Sequence, residues 1–311
     1  MRMINLACLL ITLLCPLIMR GQKSEPLPIT GPGVTGTLLR YPSFPSKFVD
    51  AREVDVWLPA DYERNKTESY PALYMQDGQN LFDASRNVFN HSEWGVDETM
   101  TRLIAEKRIP PAIVVGIWNN TSKRSREYMP QKAATWAQQK DGSVVILADE
   151  KLPVSEIVSD KYLRFMVEEL KPFIDAKYRT KRAREYTFVM GSSLGGLISA
   201  YAISEYPQVY GGAACMSTHW PAGEGAMIQY LKGHLPDPRL HRIYFDFGTE
   251  ALDQMYEPYQ LKMDEVMKSA GYTLGENWET QKFPGASHSE ESWGKRLEVP
   301  LTFLLEKQAN K

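Results

Sequence analysis

The hydrophobic pattern near the start of the chain is that of half-buried strands. In residues 36–41 and 53–58, apolar and polar positions alternate, so that Val54, Val56 and Leu58 lie on one face of the second segment. Such alternation is typical of strands with one face on the core and one face toward water. We therefore predict that the two segments pair as antiparallel strands at the edge of a sheet.

Further along, the pattern changes to short apolar runs separated by stretches with helical spacing. The apolar runs, which are typical of strands buried on both faces, are 72–75, 112–117, 187–190, 212–216, 242–247 and 278–283. The helical stretches are 97–107, 161–178, 194–206, 258–270 and 289–306. This alternation predicts an α/β fold with a mostly parallel central sheet, an antiparallel N-terminal edge and helices on both faces. The ligand site of such a fold lies beyond the carboxyl ends of the strands.

The first residues have the layout of a signal peptide. Arg2 is followed by an apolar stretch from Leu6 to Met19, and the chain turns polar at Arg20. The stretch is shorter than the ~20 residues that a membrane-spanning helix needs. We predict a signal peptide over residues 1–22, with an uncleaved anchor as the alternative. The prediction implies a secreted or periplasmic protein with no stable membrane insertion after removal of the leader, and a single domain over the remaining residues, 23–311.

Composition excludes some classes of partner. Lysine and arginine together number 36 and aspartate and glutamate 38, so the chain has no strong positive field to hold a nucleic acid. A small or neutral substrate is favoured instead. Two of the three cysteines lie in the leader, and Cys215 lies in an apolar run, where we expect a small core residue. No feature indicates an oligomeric state.

One short motif carries the chemistry. The sequence Gly-Ser-Ser-Leu-Gly-Gly begins at Gly191, between the apolar run 187–190 and the helical stretch 194–206. A Gly-x-Ser-x-Gly pattern between a strand and a helix is the nucleophile elbow of α/β hydrolases. The residues two positions before and after the serine must be small, because strand and helix approach closely there, and Gly191 and Gly195 meet this need. We predict that Ser193 is a catalytic nucleophile, with an ordinary strand-to-helix turn as the alternative.

A nucleophilic serine needs a base, and the base needs an acid. In this architecture the chain order is serine, acid, histidine. His288 follows the last apolar run in a turn before the last helix, and we predict that it is the base. The acid should follow the preceding strand, where Glu250 and Asp253 both come after Gly248. We prefer Asp253, and Glu250 remains the alternative.

The oxyanion of the reaction needs backbone donors. The helix that begins at Leu194 directs its first amide groups toward the nucleophile. A second donor is expected after the strand at 72–75, where Gly78 allows the backbone to turn. We predict that the amides of Leu194 and Gln79 form the oxyanion hole, and an ordinary turn after the strand is the alternative.

Two loops supply candidate substrate contacts. Aromatic faces beside amide groups suit sugar rings or aryl groups. The candidates are Trp118, Asn119 and Tyr128 on one loop and His219 and Trp220 on another. Ordinary packing of loop residues is the alternative.

Beyond these motifs, the chain resembles the putative esterase family of α/β hydrolases, which includes esterase D, enterochelin esterases, and the feruloyl and acetylxylan esterases of carbohydrate esterase family one. The segments that carry the resemblance are Val56–Pro59 with Tyr62, 75–83, Val114–Ile117 with Arg126–Tyr128, 169–174, the elbow, and His288 with Trp293. The resemblance implies the α/β-hydrolase fold without a lid, an open cleft, no cofactor and no metal. It departs at the acid, because relatives tend to carry it at the position of Ala251.

The predicted function is hydrolysis of a carboxylic ester through a Ser-His-acid triad and an acyl-enzyme. The resemblance implies a small-molecule or carbohydrate ester as substrate, with an acetyl or feruloyl group on a sugar, or a siderophore ester. Two alternatives stay open. One is an acyltransferase with the same triad, and the other is a carbohydrate- or siderophore-binding protein without catalysis.

Overall fold

The computed structural model describes residues 25–31, 33–86, 92–148 and 150–306. The signal peptide predicted for residues 1–22 lies outside them. Within the described ranges, no helix is both long enough and apolar enough to cross a membrane.

A nine-stranded sheet forms the centre of the described part of the chain, and two further strands lie outside it. All the strands, in chain order, are β1 (Leu27–Ile29), β2 (Thr37–Phe44), β3 (Arg52–Leu58), β4 (Ala72–Gln76), β5 (Ile113–Ile117), β6 (Ser143–Leu147), β7 (Glu150–Pro153), β8 (Thr187–Ser192), β9 (Gly212–Met216), β10 (Arg242–Gly248) and β11 (Trp278–Phe283). Strands β6 and β7 form a separate antiparallel hairpin. The other nine lie in the order β1-β2-β3-β5-β4-β8-β9-β10-β11.

Strand direction alternates across β1, β2, β3 and β5, and it is constant from β5 to β11. Strands β1, β2 and β3 pair antiparallel, and β3 also pairs antiparallel with β5. From β5 to β11 every neighbouring pair is parallel. The predicted parallel body with an antiparallel N-terminal edge is therefore confirmed. The carboxyl ends of β4, β5, β8, β9 and β10 consequently lie at one edge.

Helices cover both faces of this sheet. They are α1 (Val96–Ala105), α2 (Arg124–Tyr128), α3 (Gln131–Trp136), α4 (Ser159–Arg164), α5 (Lys171–Lys177), α6 (Leu194–Glu205), α7 (Ala226–Leu231), α8 (Glu257–Ser269), α9 (Glu290–Arg296) and α10 (Glu298–Leu305). Successive residues of a strand point to opposite faces. In β4, Tyr74 joins one buried apolar cluster, while Leu73 and Met75 join the other. Burial on both faces explains why this strand has no polar alternation.

The structure differs from the predicted elements in several places. The predicted helix 289–306 is divided into α9 and α10, because the ring of Pro300 is incompatible with a continuous helix through residue 296. Between α4 and α5 the chain forms a π-helical segment, Phe165–Leu170. The hairpin β6–β7 and the helices α2, α3 and α7 were not predicted. Each of these strands and helices has at most six residues, fewer than the window of ~11 residues over which periodicity becomes visible.

Strand β8 and helix α6 approach each other without room for side chains. A Cβ atom added to Gly191 would lie 2.6 Å from the carbonyl carbon and oxygen of Gly195. A Cβ atom added to Gly196 would lie 3.0 Å from Oγ1 of Thr218. Glycine at these positions therefore allows the helix to start directly above the strand.

We expect the substitution Gly191→Ala to destabilise the protein by about 3 kcal/mol, because backbone atoms of Gly195 occupy the space that the new methyl group needs. Urea unfolding would measure the free energy of unfolding. The control is Gly233→Ala, whose added Cβ meets no atom within 4 Å, and it should change stability by less than about 0.5 kcal/mol. Equal stabilities of the two variants would contradict this account.

Candidate active site

Ser193 lies in the turn between β8 and α6. Its backbone angles, φ 57° and ψ −125°, are rare for a residue with a side chain. Two backbone hydrogen bonds hold the turn: Ser193 N–H donates to Met216 O at 3.0 Å, and His219 N–H donates to Ser193 O at 3.1 Å. The strained conformation is therefore maintained by the loop after the neighbouring strand β9. Strain of this kind clusters at functional sites.

His288 is hydrogen-bonded to a carboxylate. Its Nδ1 atom lies 2.5 Å from Oδ1 of Asp253. The side chain of Asp253 is fully buried, whereas that of His288 is 14% exposed. Glu250, the alternative acid, is exposed at the start of the same turn. The structure therefore brings Asp253, rather than Glu250, to the imidazole.

Several donors surround the carboxylate of Asp253. Its Oδ2 atom accepts hydrogen bonds from Ser217 Oγ and from Gly248 N–H, both at 2.6 Å. Burial by itself raises the pKa of this carboxyl. The hydrogen bonds from His288, Ser217 and Gly248 lower the pKa by more than burial raises it. The pKa of Asp253 consequently lies below its ordinary value. The group is thus held as an anion beside the imidazole of His288.

A buried ionic network supports this acid from below, and the sequence patterns did not reveal it. Ser217 Oγ accepts hydrogen bonds from Arg296 Nη2 at 2.7 Å and from Trp293 Nε1 at 3.0 Å. Arg296 Nη2 also donates to Asp246 Oδ1 at 3.0 Å. Arg296 lies on a helix and Asp246 within an apolar strand, and charged residues that become buried are usually paired with each other. The spacing of the two residues in the sequence does not show that they are partners.

The imidazole of His288 is enclosed by two aromatic rings. The ring centroid of Trp293 lies 4.9 Å away at an interplanar angle of 82°, and that of Tyr256 lies 5.7 Å away at 83°. Both contacts are edge-to-face, which is a favoured arrangement of aromatic rings. The imidazole orientation therefore depends on packing as well as on Asp253.

Tyr256 contacts both His288 and Ser193. It is fully buried, and burial, followed by the charge of Asp253, raises its pKa above the ordinary value. Its hydroxyl group interacts with the side chain of Ser193. No direct hydrogen bond joins Ser193 to His288 among the described residues. The two side chains thus flank one tyrosine.

His219 is buried, and it forms a hydrogen bond that orients Tyr256. Its Nε2 atom lies 2.8 Å from the carbonyl oxygen of Ile146, and its Nδ1 atom lies 2.7 Å from the hydroxyl of Tyr256. Because a carbonyl only accepts, Nε2 carries the proton and Nδ1 accepts from the tyrosine. Burial lowers the pKa of His219 to about 4, so the ring is neutral. The expected substrate contact is corrected, since this side chain is only 2% exposed.

Two other predicted substrate contacts are also buried. Trp220 is 1% exposed, and its Nε1 atom donates to Gln260 Oε1 at 2.8 Å. Tyr128 is fully buried, and its hydroxyl accepts from the backbone N–H of Asp77 at 3.3 Å. Both rings fill space beneath the loops, where their polar atoms are satisfied by protein groups. The predictions of direct contact are corrected for both residues.

Trp118 and Asn119 are half-buried and hold the loops in place. Trp118 Nε1 donates to Asp55 Oδ2 at 2.9 Å. Asn119 Nδ2 donates to Asp77 Oδ1 at 2.6 Å, and its backbone N–H donates to Gln79 Oε1 at 3.3 Å. Their polar atoms therefore join the loop after β5 to strand β3 and to the loop after β4.

Hydrogen bonds and close backbone packing hold the loop that contains Gln79 in position. Arg124 donates two hydrogen bonds of 2.8 Å to the carboxylate of Asp77. A Cβ atom added to Gly78 would lie 2.7 Å from the backbone of Gly116, so only glycine fits there. Among the described residues, neither the backbone N–H of Gln79 nor that of Leu194 donates to a protein acceptor. Both predicted oxyanion donors are therefore free to bind a ligand.

No metal centre is formed by the described residues. They contain no group of three or more histidine, cysteine, aspartate or glutamate side chains placed to hold a metal ion. Cys215 is buried in β9, and burial raises the pKa of its thiol above the ordinary value. The polar groups at this edge of the sheet suit nucleophilic chemistry by a hydroxyl group.

The chain is similar to known proteins in sequence. A family model described as "Putative esterase" matches residues 46–304. The uncharacterized protein YbbA of Bacillus subtilis (strain 168) is 26% identical over 231 residues, which are 71% of this chain and 80% of that protein. An endo-1,4-beta-xylanase/feruloyl esterase of Xylanibacter ruminicola is 24% identical over 252 residues, which are 78% of this chain and 28% of that protein.

Solved structures share the fold. A ferulic acid esterase superposes with a TM-score of 0.60 at 18% identity, covering 86% of this chain and 97% of that one. The enterobactin esterase FES of Shigella flexneri, in the presence of enterobactin, superposes with a TM-score of 0.62 at 20% identity, covering 88% of this chain and 60% of that one. At these identities the likeness establishes a common architecture.

The neutral His219 should make stability dependent on pH. The folded chain keeps this ring neutral down to about pH 4, whereas the ordinary pKa of the unfolded chain is 6.5. Between these values the unfolded state binds one more proton, so stability falls as the pH falls. We expect His219→Gln, which cannot titrate, to remove about 3 kcal/mol of that dependence between pH 7 and pH 4.

Urea unfolding of both proteins across this range provides the measurement. Glutamine is chosen because its amide can still donate to Ile146 O. If the two curves of stability against pH ran parallel, the histidine would not be held neutral by burial.

Proposed function

Since this chain belongs to the "Putative esterase" family and is a carboxylic ester hydrolase, we propose that it acts through an acyl-enzyme on Ser193, with His288 as base and Asp253 as acid. The observation that carries the proposal is the 2.5 Å contact between His288 Nδ1 and a fully buried carboxylate. That contact leaves Nε2 of the imidazole available to take a proton. The strained turn at Ser193 and the shared contact with Tyr256 support the pairing.

In the first step, the hydroxyl group of Ser193 turns from Tyr256 toward His288 and attacks the ester carbonyl. His288 Nε2 takes the hydroxyl proton as the oxygen–carbon bond forms. Asp253 stabilises the resulting imidazolium, and its depressed pKa keeps it charged. The protonated imidazole then gives its proton to the alcohol oxygen as the carbon–oxygen bond of the ester breaks.

The negative oxygen of the tetrahedral intermediate needs donors that are in place beforehand. The backbone amides of Leu194 and Gln79 fill this role in the proposal, because neither has a protein acceptor among the described residues. Each such donor contributes about 3 kcal/mol to the stability of the transition state. The bonds from Arg124 and Asn119 to Asp77 hold the second donor in position.

In the second step, water hydrolyses the acyl-enzyme. His288 removes a proton from the water as it attacks the acyl carbonyl, and then returns the proton to the oxygen of Ser193 as the acyl bond breaks. A free carboxylic acid and the original enzyme result. A sugar hydroxyl in place of water would give the acyltransferase reaction instead.

The proposed substrates are acetyl or feruloyl esters of carbohydrates. Support comes from the ferulic acid esterase with the same fold and from the relative described as endo-1,4-beta-xylanase/feruloyl esterase. The near balance of charges also fits a neutral substrate. A siderophore ester is the second candidate, favoured by the structural likeness to an enterobactin esterase. A secreted or periplasmic location, predicted from the leader, would give the enzyme access to either substrate.

The central test is Ser193→Ala, which removes the nucleophile. We expect kcat on p-nitrophenyl acetate and on methyl ferulate to fall by at least about 10⁴-fold. The matched control is Ser192→Ala, which alters the buried neighbouring hydroxyl and should retain activity within about threefold. Retained turnover in Ser193→Ala would remove the basis of the mechanism.

The same assay, extended to a panel of substrates, tests the substrate class. Acetylated xylan, methyl ferulate and enterobactin would be compared by kcat/KM with the wild-type protein. Preference for enterobactin would overturn the carbohydrate assignment. Transfer of the acyl group to an added sugar in preference to water would identify the acyltransferase.

The identity of the acid is tested by a pair of substitutions. We expect Asp253→Asn to lower kcat by roughly 10³- to 10⁴-fold, because a neutral amide does not stabilise the imidazolium of His288. Glu250→Gln should leave kcat within about twofold, since that side chain is exposed. The opposite ranking of the two variants would assign the acid to Glu250.

A further inference from the structure

A depression outside the catalytic site lies between α3, α7 and the hairpin β6–β7. Its volume is about 290 Å³, which is at the small end for sites that bind organic ligands. The side chains that matter in its lining are Trp136, Gln138, Val145, Glu224 and Gln229. None of them takes part in the proposed catalytic mechanism.

Trp136 provides a rigid aromatic surface in this depression. The side chain is 59% exposed, although tryptophan is usually buried in large part. Its ring centroid lies 5.3 Å from that of Tyr230 and 6.1 Å from that of His234. Tyr230 and His234 in turn stack on each other at 3.9 Å. The indole is therefore supported on one side and open to solvent on the other.

Glu224 has a left-handed backbone conformation that is strained for glutamate but not for glycine. The φ angles of Gly223, Glu224 and Gly225 are 61°, 56° and 85°, so three successive residues are left-handed. Glycine adopts this region freely, whereas a residue with a Cβ atom is strained in it. The glutamate side chain is exposed and lines the depression. Strain retained where glycine would relieve it indicates that the carboxylate is used.

The chemistry of the lining selects a class of ligand. The amides of Gln138 and Gln229 and the carboxylate of Glu224 offer hydrogen-bond acceptors and donors around the indole. Among the described residues that line the depression, none is cationic, so an anion is disfavoured. A purely apolar ligand would leave these polar groups unpaired. A neutral polyhydroxy ring carries no negative charge and still offers polar groups. Its C–H face packs on the indole, and its hydroxyl groups form hydrogen bonds with the glutamine amides and the Glu224 carboxylate.

We propose that this depression is an accessory saccharide-binding site that holds a neighbouring part of the same polymer whose ester reaches Ser193. Strand β6 contributes to the depression through Val145, and the carbonyl of the next residue, Ile146, accepts a hydrogen bond from His219. His219 N–H in turn binds the carbonyl of Ser193. The link to catalysis rests on the proposed carbohydrate esterase activity, whereas binding itself does not.

Binding is tested in the Ser193→Ala protein with xylohexaose that carries no acyl group. Isothermal titration calorimetry should show saturable binding, and adding Trp136→Ala should raise Kd by at least about tenfold. Leu240→Ala, at a side chain that is 49% exposed and does not line the depression, is the matched control and should leave Kd unchanged. Absence of binding, or binding that is indifferent to Trp136→Ala, would overturn the proposal.

Glu224→Gly separates binding from damage to the fold. Relief of the strained backbone should raise Tm by about 2 °C, although the unfolded state gains freedom. The same substitution should raise Kd for xylohexaose several-fold. A more stable protein that binds less well has no explanation in a merely structural role. Unchanged affinity in this variant would contradict the assignment of the carboxylate.

Kinetics distinguish failure of this proposal from failure of the proposed function. Trp136→Ala in the otherwise wild-type protein should leave kcat/KM on p-nitrophenyl acetate unchanged and lower it about fivefold on acetylated xylan. Equal losses on both substrates, or none on xylan, would count against an accessory site. Failure of the proposed function would instead appear as turnover that persists in Ser193→Ala, or as a preference of the wild-type protein for enterobactin over acetylated xylan.

Discussion

The close approach of β8 and α6 is the constraint on which the rest of the structure depends. Backbone atoms of Gly195 occupy the space where a side chain at Gly191 would lie. The chain between them must therefore turn within very few residues, and Ser193 takes up the strained conformation. Hydrogen bonds with Met216 and His219 hold this turn against relaxation. A backbone held in this way needs little reorganisation, so the proposed reaction requires only rotation of the Ser193 hydroxyl group.

A second constraint is electrostatic. Asp253 is a buried anion, and a buried charge is tolerated only when partners replace its hydration. Ser217, Gly248 and His288 supply hydrogen bonds, and Arg296 adds a positive charge to the same network. The network joins residues far apart in the chain, so it forms only when the sheet and the last helices are assembled. Folding and the orientation of the imidazole are thereby coupled.

The residues predicted as substrate contacts illustrate the limit of reasoning from sequence. His219, Trp220 and Tyr128 lie in the loops where they were expected, yet all three point into the protein. A pattern of residue types assigns a position to a loop but does not give the direction of its side chain. The direction depends on which neighbouring groups can form a hydrogen bond with the side chain. Here Tyr256 binds His219 and Gln260 binds Trp220, and both partners are distant in sequence.

The sequence by itself determined the α/β architecture, the antiparallel edge, the strand-to-helix turn around Ser193 and the position of His288 after the last strand. These features follow from local periodicity and from the steric demands of glycine, which act over a few residues. The tertiary structure decided which carboxylate faces the imidazole and which aromatic side chains are buried. It also decided that Trp136 and Glu224 share one depression. These outcomes depend on packing and on the pairing of buried charges between distant segments, and such interactions leave no periodic trace in the chain.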